Sequence, residues 1–161
     1  MSELRALDAT QDGEARILKR IHEALDAGRR PVLVTLRRPV EDWRRRLQDA
    51  DIDPTRLFFI DATTRALEGR RFMGNVLYVG GPAHLEAIAM RSRLVCRQAP
   101  SHVLLDSVDQ LAAAMGEELA QVFCHAMVND LRRAQTPGDF ILAAGPSTDR
   151  LREALRAVVD A

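Results

Sequence analysis

In the stretch "SHVLLDSVDQL" an apolar run from His102 to Leu105 passes directly into Asp106 and Ser107. A carboxylate at the end of a buried strand has two chemical uses. It can hold a divalent cation against a bound phosphate, or it can accept hydrogen bonds from the backbone that turns into the next element. The same arrangement recurs in "DPTRLFFIDATT", where Leu57 to Ile60 run into Asp61, Thr63 and Thr64. "PVLVTLRR" ends on Arg37 and Arg38, whose planar forks suit carboxylates and phosphates. "NVLYVGGP" ends on Gly80, Gly81 and Pro82, a pattern that starts a helix and, more weakly, a phosphate-binding turn.

These groups need a scaffold that brings strand ends together, and the apolar spacing supplies one. Ile17, Leu18, Ile21, Ala24 and Leu25 form a helical stripe that stops at Gly28. Val40, Trp43 and Leu47 form a second stripe, with Arg44, Arg45 and Arg46 on the remaining surface. Further helices are expected from about Ala83 to Arg97 and from Asp149 to Val159. Between them lies a long amphipathic helix with Leu119, Val122, Phe123, Ala126 and Leu131 inward. Strands are expected at Pro31–Leu36, Leu57–Ile60, Val76–Val79, His102–Asp106 and Phe140–Gly145, with "TPGD" as a turn before the last. Strands apolar on both faces and alternating with helices predict a three-layer α/β/α sandwich over a mainly parallel sheet of about five strands. Leu4 to Thr10 is a weak candidate for one more. In such a sheet ligands bind beyond the carboxyl ends of the strands, where all the groups above converge.

Composition narrows the function. The chain has 161 residues, the size of one domain, with no linker or repeat to divide it. Acids and bases balance at 23 each, which removes the electrostatic case for nucleic acid. Lys19 is the only lysine; the other bases are arginine, a bias that a G- and C-rich genome produces without functional pressure. No apolar run spans a bilayer and "MSELRALDATQDGE" has no leader character, so a cytoplasmic protein away from membranes is expected. Cys96 and Cys124 read as reduced thiols on helices, and their spacing supports no zinc site. His22, His84, His102 and His125 show no nucleophile at a telling separation; Cys124 and His125 point about 100° apart on a helix. There is no Gly-x-Ser-x-Gly elbow, no Gly-x-Gly-x-x-Gly after a first strand, and no receiver-domain set of paired acids and lysine.

The segment order "VLVTLRRPVEDW", "DIDPTRLFFIDATT", "NVLYVGGPAHLEAIAM" and "HVLLDSVDQL" resembles the KaiC-like branch of the RecA-type ATPases, from about Glu14 to the C-terminus. The resemblance implies a phosphate loop before the first helix, a carboxylate after the next strand, and a metal-orienting acid. Only the last has a match, Asp106. The loop position reads "LDATQDGEA", with Gly13 but no lysine, and Asp8, Asp12 and Glu14 would meet a phosphate with like charge. Residues 1–13 are thus a candidate degenerate first strand and loop. Arg37 and Arg38 stand where the carboxylate would be, and arginine is no base near neutral pH. Without a phosphate loop Asp106 is expected to serve the backbone with Ser107 as a vestigial metal-orienting acid, and Asp61 to work in its turn. The expectation is a pseudo-ATPase that is not an enzyme. It would need no metal or other cofactor and would act in regulation or signalling on a protein partner. The family's habit of side-by-side assembly implies a homo-oligomer. The alternative is a regulatory domain that binds an anion or nucleotide through Arg37, Arg38, Gly80 and Gly81, with Asp61 and Ser107 beside them.

Overall fold

The computed structural model describes residues 3–9, 13–64, 74–143 and 149–160. The strands are β1 (Leu4–Ala9), β2 (Arg30–Thr35), β3 (Phe58–Asp61), β4 (Val76–Tyr78), β5 (Ser101–Asp106) and β6 (Gly138–Ala143). The helices are α1 (Gly13–Asp26), α2 (Val40–Asp49), α3 (Leu85–Cys96), α4 (Val108–Met115), α5 (Glu117–Arg133) and α6 (Asp149–Val159). The six strands form one sheet in the order β1-β6-β5-β2-β3-β4, and every pairing is parallel. Leu4–Ala9 therefore forms a sixth strand, at the sheet edge against β6, whereas the resemblance puts a phosphate-loop strand at the centre. Residues 10–12, the heart of the compared loop, lie outside the described residues, as do the side chains of Asp8 and Ala9.

The period-2 alternation of each strand divides the core in two. Val32, Val34, Phe58, Ile60, Val103, Leu105, Phe140 and Leu142 point toward α3, α4, α5 and α6. Leu33, Phe59, Val76, Leu104 and Ile141 point toward Ile17 and Ile21 of α1 and Val40, Trp43 and Leu47 of α2. Burying each such side chain stabilises the fold by about 1.5–3 kcal/mol before entropy is subtracted. No helix among the described residues is long and apolar enough to cross a membrane.

Two local expectations are corrected and one helix is added. Gly138 and Asp139 belong to β6 rather than to a preceding turn. The segment after β5 makes two helices, separated at Gly116, whose φ of 91° suits a residue with no Cβ. The inner face of α5 is Ala120, Phe123, Cys124, Met127, Val128 and Leu131; Leu119, Val122 and Ala126 lie outside it, exposed.

Candidate functional site at the carboxyl ends of the strands

Parallel register lines up the strand ends. Asp61 and Asp106 are the pairing partners of Thr35 on its two sides, and Tyr78 is the next in line beyond Asp61. In-register neighbours in a parallel sheet share a face. Tyr78, Asp61, Thr35 and Asp106 therefore form a row on the side of α1 and α2. Thr35, Asp61, Asp106 and the adjoining Ser107 are fully buried.

Asp61 is saturated. One carboxylate oxygen accepts from the Thr63 backbone N–H at 2.7 Å, the Thr63 hydroxyl at 2.8 Å and the Thr64 N–H at 3.0 Å. The other accepts from the Thr64 hydroxyl at 2.6 Å and the Val40 N–H at 3.1 Å. Burial pushes its pKa up, but these donors outweigh burial and hold it below the ordinary aspartate value. The Val40 contact explains how α2 starts after Pro39, a residue with no capping side chain: an acid from the neighbouring strand end caps it. Turn chemistry is what Asp61 does.

Asp106 is the opposite case. Its Oδ1 has the Arg37 guanidinium at 3.3 Å, and its Oδ2 has no hydrogen-bond partner. Burial raises its pKa, and the charges of Arg37 and Arg38 oppose that without reversing it. The expected backbone role is not seen: Ser107 stands at the N-cap of α4 in an extended conformation, yet its hydroxyl makes no capping bond. Thr35 Oγ1, Asp106 Oδ2 and Ser107 Oγ are thus neighbouring buried oxygens without partners.

Arg37, exposed, and Arg38, half-buried, each hold an acid of this chain. Arg37 pairs with Asp106, and Arg38 with Glu14 at 2.7 Å. Glu14 is also bound by Arg46 of α2, and Arg38 lies over the Trp43 ring, 6.0 Å from its centroid. Burial works against the Glu14 charge, and the hydrogen bonds from Arg46 and Arg38 more than compensate, leaving its pKa lowered. This ion-pair network ties the N-terminus of α1 to the end of β2 and to α2. Gly80 and Gly81 follow β4, which β3 separates from β2, so the sheet does not bring them beside the arginines.

Magnesium triphosphate is the ligand that the resemblance implies, and the described strand-end cations Arg37 and Arg38 are both paired with acids of this chain rather than free to face it. One oxygen of the acid that would orient the metal faces Arg37, and the other has no partner. The sole lysine, Lys19, is on the α1 surface and pairs with Glu23 at 3.9 Å. Among the described residues no three His, Cys, Asp or Glu side chains group as metal ligands.

A second buried polar cluster escaped the reading of the sequence. His102 Nε2 lies 2.6 Å from Asp139 Oδ2, and Arg20 of α1 donates to both oxygens of Asp139 at 2.9 and 3.2 Å. Burial would raise the Asp139 pKa, but His102 and Arg20 hold it below the usual range. The cluster lies near the amino ends of β5 and β6, away from the ligand-binding edge, and pins α1 to the sheet. Its one sequence signal, an acid directly after Pro-Gly, is the signal of a turn. Cys124 is buried and Cys96 half-buried; burial lifts the thiols to about 12 and about 11, and neither is in a disulfide.

No protein-family model matches the sequence, and no curated protein matches it. Among solved structures, a KaiC-like protein from the hyperthermophilic archaeon Pyrococcus horikoshii OT3 superposes with a TM-score of 0.63 at 15% identity. The match covers 96% of this chain and 66% of that one, so this chain spans just under two thirds of the archaeal protein's length. At that identity the likeness is one of fold: this chain has the KaiC/RecA-like α/β architecture.

Proposed function

We propose that this chain is a non-catalytic RecA/KaiC-like module that acts through protein contacts in regulation or signalling, without hydrolysing ATP. One observation carries the reading: the cations at the strand ends are neutralised within the chain, Arg37 by Asp106 and Arg38 by Glu14. A triphosphate needs amide and cationic donors free to face it, and a metal needs an acid not already paired. The stretch Leu7–Ala15, which the resemblance aligns with a phosphate loop, supplies three acids and no lysine. Phosphate release from ATP in magnesium tests the reading. A rate at background supports it; steady turnover abolished by Asp106→Ala refutes it.

The second reading keeps an anion or nucleotide at the strand ends. It is favoured by the part exposure of the Arg37 and Arg38 side chains, 31% and 26%, which leaves each fork within reach of solvent. A phosphorylated ligand would then displace Asp106 and Glu14 from them. It requires some phosphorylated compound to raise the melting temperature, and the gain to vanish in Arg37→Ala with Arg38→Ala.

A further inference from the structure

Between the last turns of α3 and α5 the helical layer opens into a groove of about 530 Å³. It lies toward the amino edge of the sheet, where these helices lead into β5 and β6. Met127 and Leu131 of α5 give it an apolar side; Ser92 and Arg97 enter from α3 and its end, and Arg133 from the end of α5. A groove of this size, apolar with a few converging polar groups, has the form of a small-molecule site. Ser92 is 2% exposed, yet its hydroxyl has no hydrogen-bond partner. A buried hydroxyl left in that state costs stability that alanine at the same place would not lose.

The cations of the groove are equally unused. Arginines near the end of a helix ordinarily serve carbonyl groups there. Arg132 does so for the Val158 and Val159 carbonyls at 2.8 and 2.9 Å, and Arg30 for the Val95 carbonyl of α3 at 3.1 Å. Arg97 and Arg133 are exposed, and among the described residues neither side chain has a hydrogen bond or an acid partner. Arg93 is occupied: it pairs with Asp130 at 2.7 Å and so joins the two walls. With Arg93 and Asp130 cancelling, the lining keeps the two positive charges of Arg97 and Arg133. Guanidinium forks of this kind select an oxyanion over an uncharged hydroxyl.

We propose that the groove between α3 and α5 binds a small anionic amphiphile, a carboxylate or phosphate monoester on an apolar body. Arg97 and Arg133 hold the anionic head, Met127 and Leu131 cover the body, and Ser92 donates its hydroxyl to a ligand oxygen. The site lies on a different surface from the strand ends. Nucleotide binding there would refute the reading of a non-catalytic module and leave this site unaffected.

Calorimetric titration of the intact chain with octanoate, octyl phosphate, octanol and inorganic phosphate tests it. Octanoate or octyl phosphate is expected to bind saturably, and the tighter of the two identifies the head. Octanol and inorganic phosphate should each bind at least about tenfold more weakly. Arg97→Ala with Arg133→Ala should weaken the tighter probe by about tenfold or more, while Arg45→Ala on the α2 surface leaves it unchanged. Ser92→Ala separates ligand binding from packing: it should raise the melting temperature of the free chain and still weaken the probe. Ala134→Glu, at an exposed position lining the groove, should exclude the anion with the melting temperature retained. The proposal is overturned if neither anion binds saturably, or if octanol or inorganic phosphate binds as tightly as they do. Binding indifferent to the double arginine change, to Ser92→Ala or to Ala134→Glu would overturn it as well.

Discussion

Asp61 and Asp106 flank Thr35 in the same register row, are equally buried, and end strands of similar apolar character. The structure nevertheless treats them differently. Asp61 accepts five hydrogen bonds and its pKa falls. Asp106 has one long arginine contact and an oxygen without a partner, and its pKa rises. Burial is common to both; what separates them is the supply of donors. Thr63, Thr64 and the start of α2 surround Asp61, while Asp106 relies on an arginine that is itself partly in solvent. A buried carboxylate of the first kind holds the fold together, and one of the second kind leaves a buried acceptor unsatisfied.

The largest expected effect follows from removing the saturated acid. Asp61→Ala leaves the Thr63 and Thr64 hydroxyls and three backbone N–H groups without an acceptor, and should cost about 3 kcal/mol in urea unfolding. A loss below about 1 kcal/mol would show that the five contacts contribute little, and would erase the contrast.

Acid should move the two sites in opposite directions. The stability that Asp61 contributes is present above the unfolded aspartate value of 3.8 and is lost as pH falls through its lower folded pKa. For Asp106 the folded pKa lies above 3.8, so the cost of burying its charge grows as pH rises from there and disappears in acid. Unfolding midpoints between about pH 3 and 6 measure this. Acidification should shrink the advantage of wild type over Asp61→Asn and improve wild type relative to Asp106→Asn. Two differences moving the same way would contradict the assignment.

Near neutral pH, Asp106→Asn should change stability by less than about 1 kcal/mol, because the amide loses a partly exposed pair and also loses a buried charge. Smaller still is the effect of Arg37→Ala. With a third of the Arg37 side chain in solvent, about 0.5 kcal/mol is expected, with the midpoint of Asp106 titration moved upward. A titration that stayed put would show that Arg37 does not act on the carboxylate.

The fold was legible because strand and helix periods are strong signals where both sheet faces are covered. Val32, Val34, Val103 and Leu105 are buried on one face and Leu33 and Leu104 on the other, as an apolar run requires. Leu4–Ala9 was less legible because "LRALDA" carries charge at alternate-face positions and sits at an edge, where one neighbour suffices. The α5 orientation was misread because Leu119, Val122 and Ala126 make as good an apolar stripe as Phe123, Met127 and Leu131; hydrophobicity alone does not say which stripe meets the sheet. At the site, the positions of Asp61, Asp106, Arg37 and Arg38 at strand ends were legible from spacing. Which acid would find donors was not, since Val40 and Glu14 reach the site from distant segments. The His102–Asp139–Arg20 cluster was hidden for the same reason: its members are brought together only by the pairing of β5 with β6 and the packing of α1 on the sheet.

Calorimetric titration of the intact chain with ATP, and separately ADP, in magnesium measures most directly whether the strand ends are closed to a triphosphate. The expected result is no saturable heat into the millimolar range. Saturable micromolar binding, lost when Asp106 is changed to alanine, would mean that the internal ion pairs yield to nucleotide and that the site is a working one.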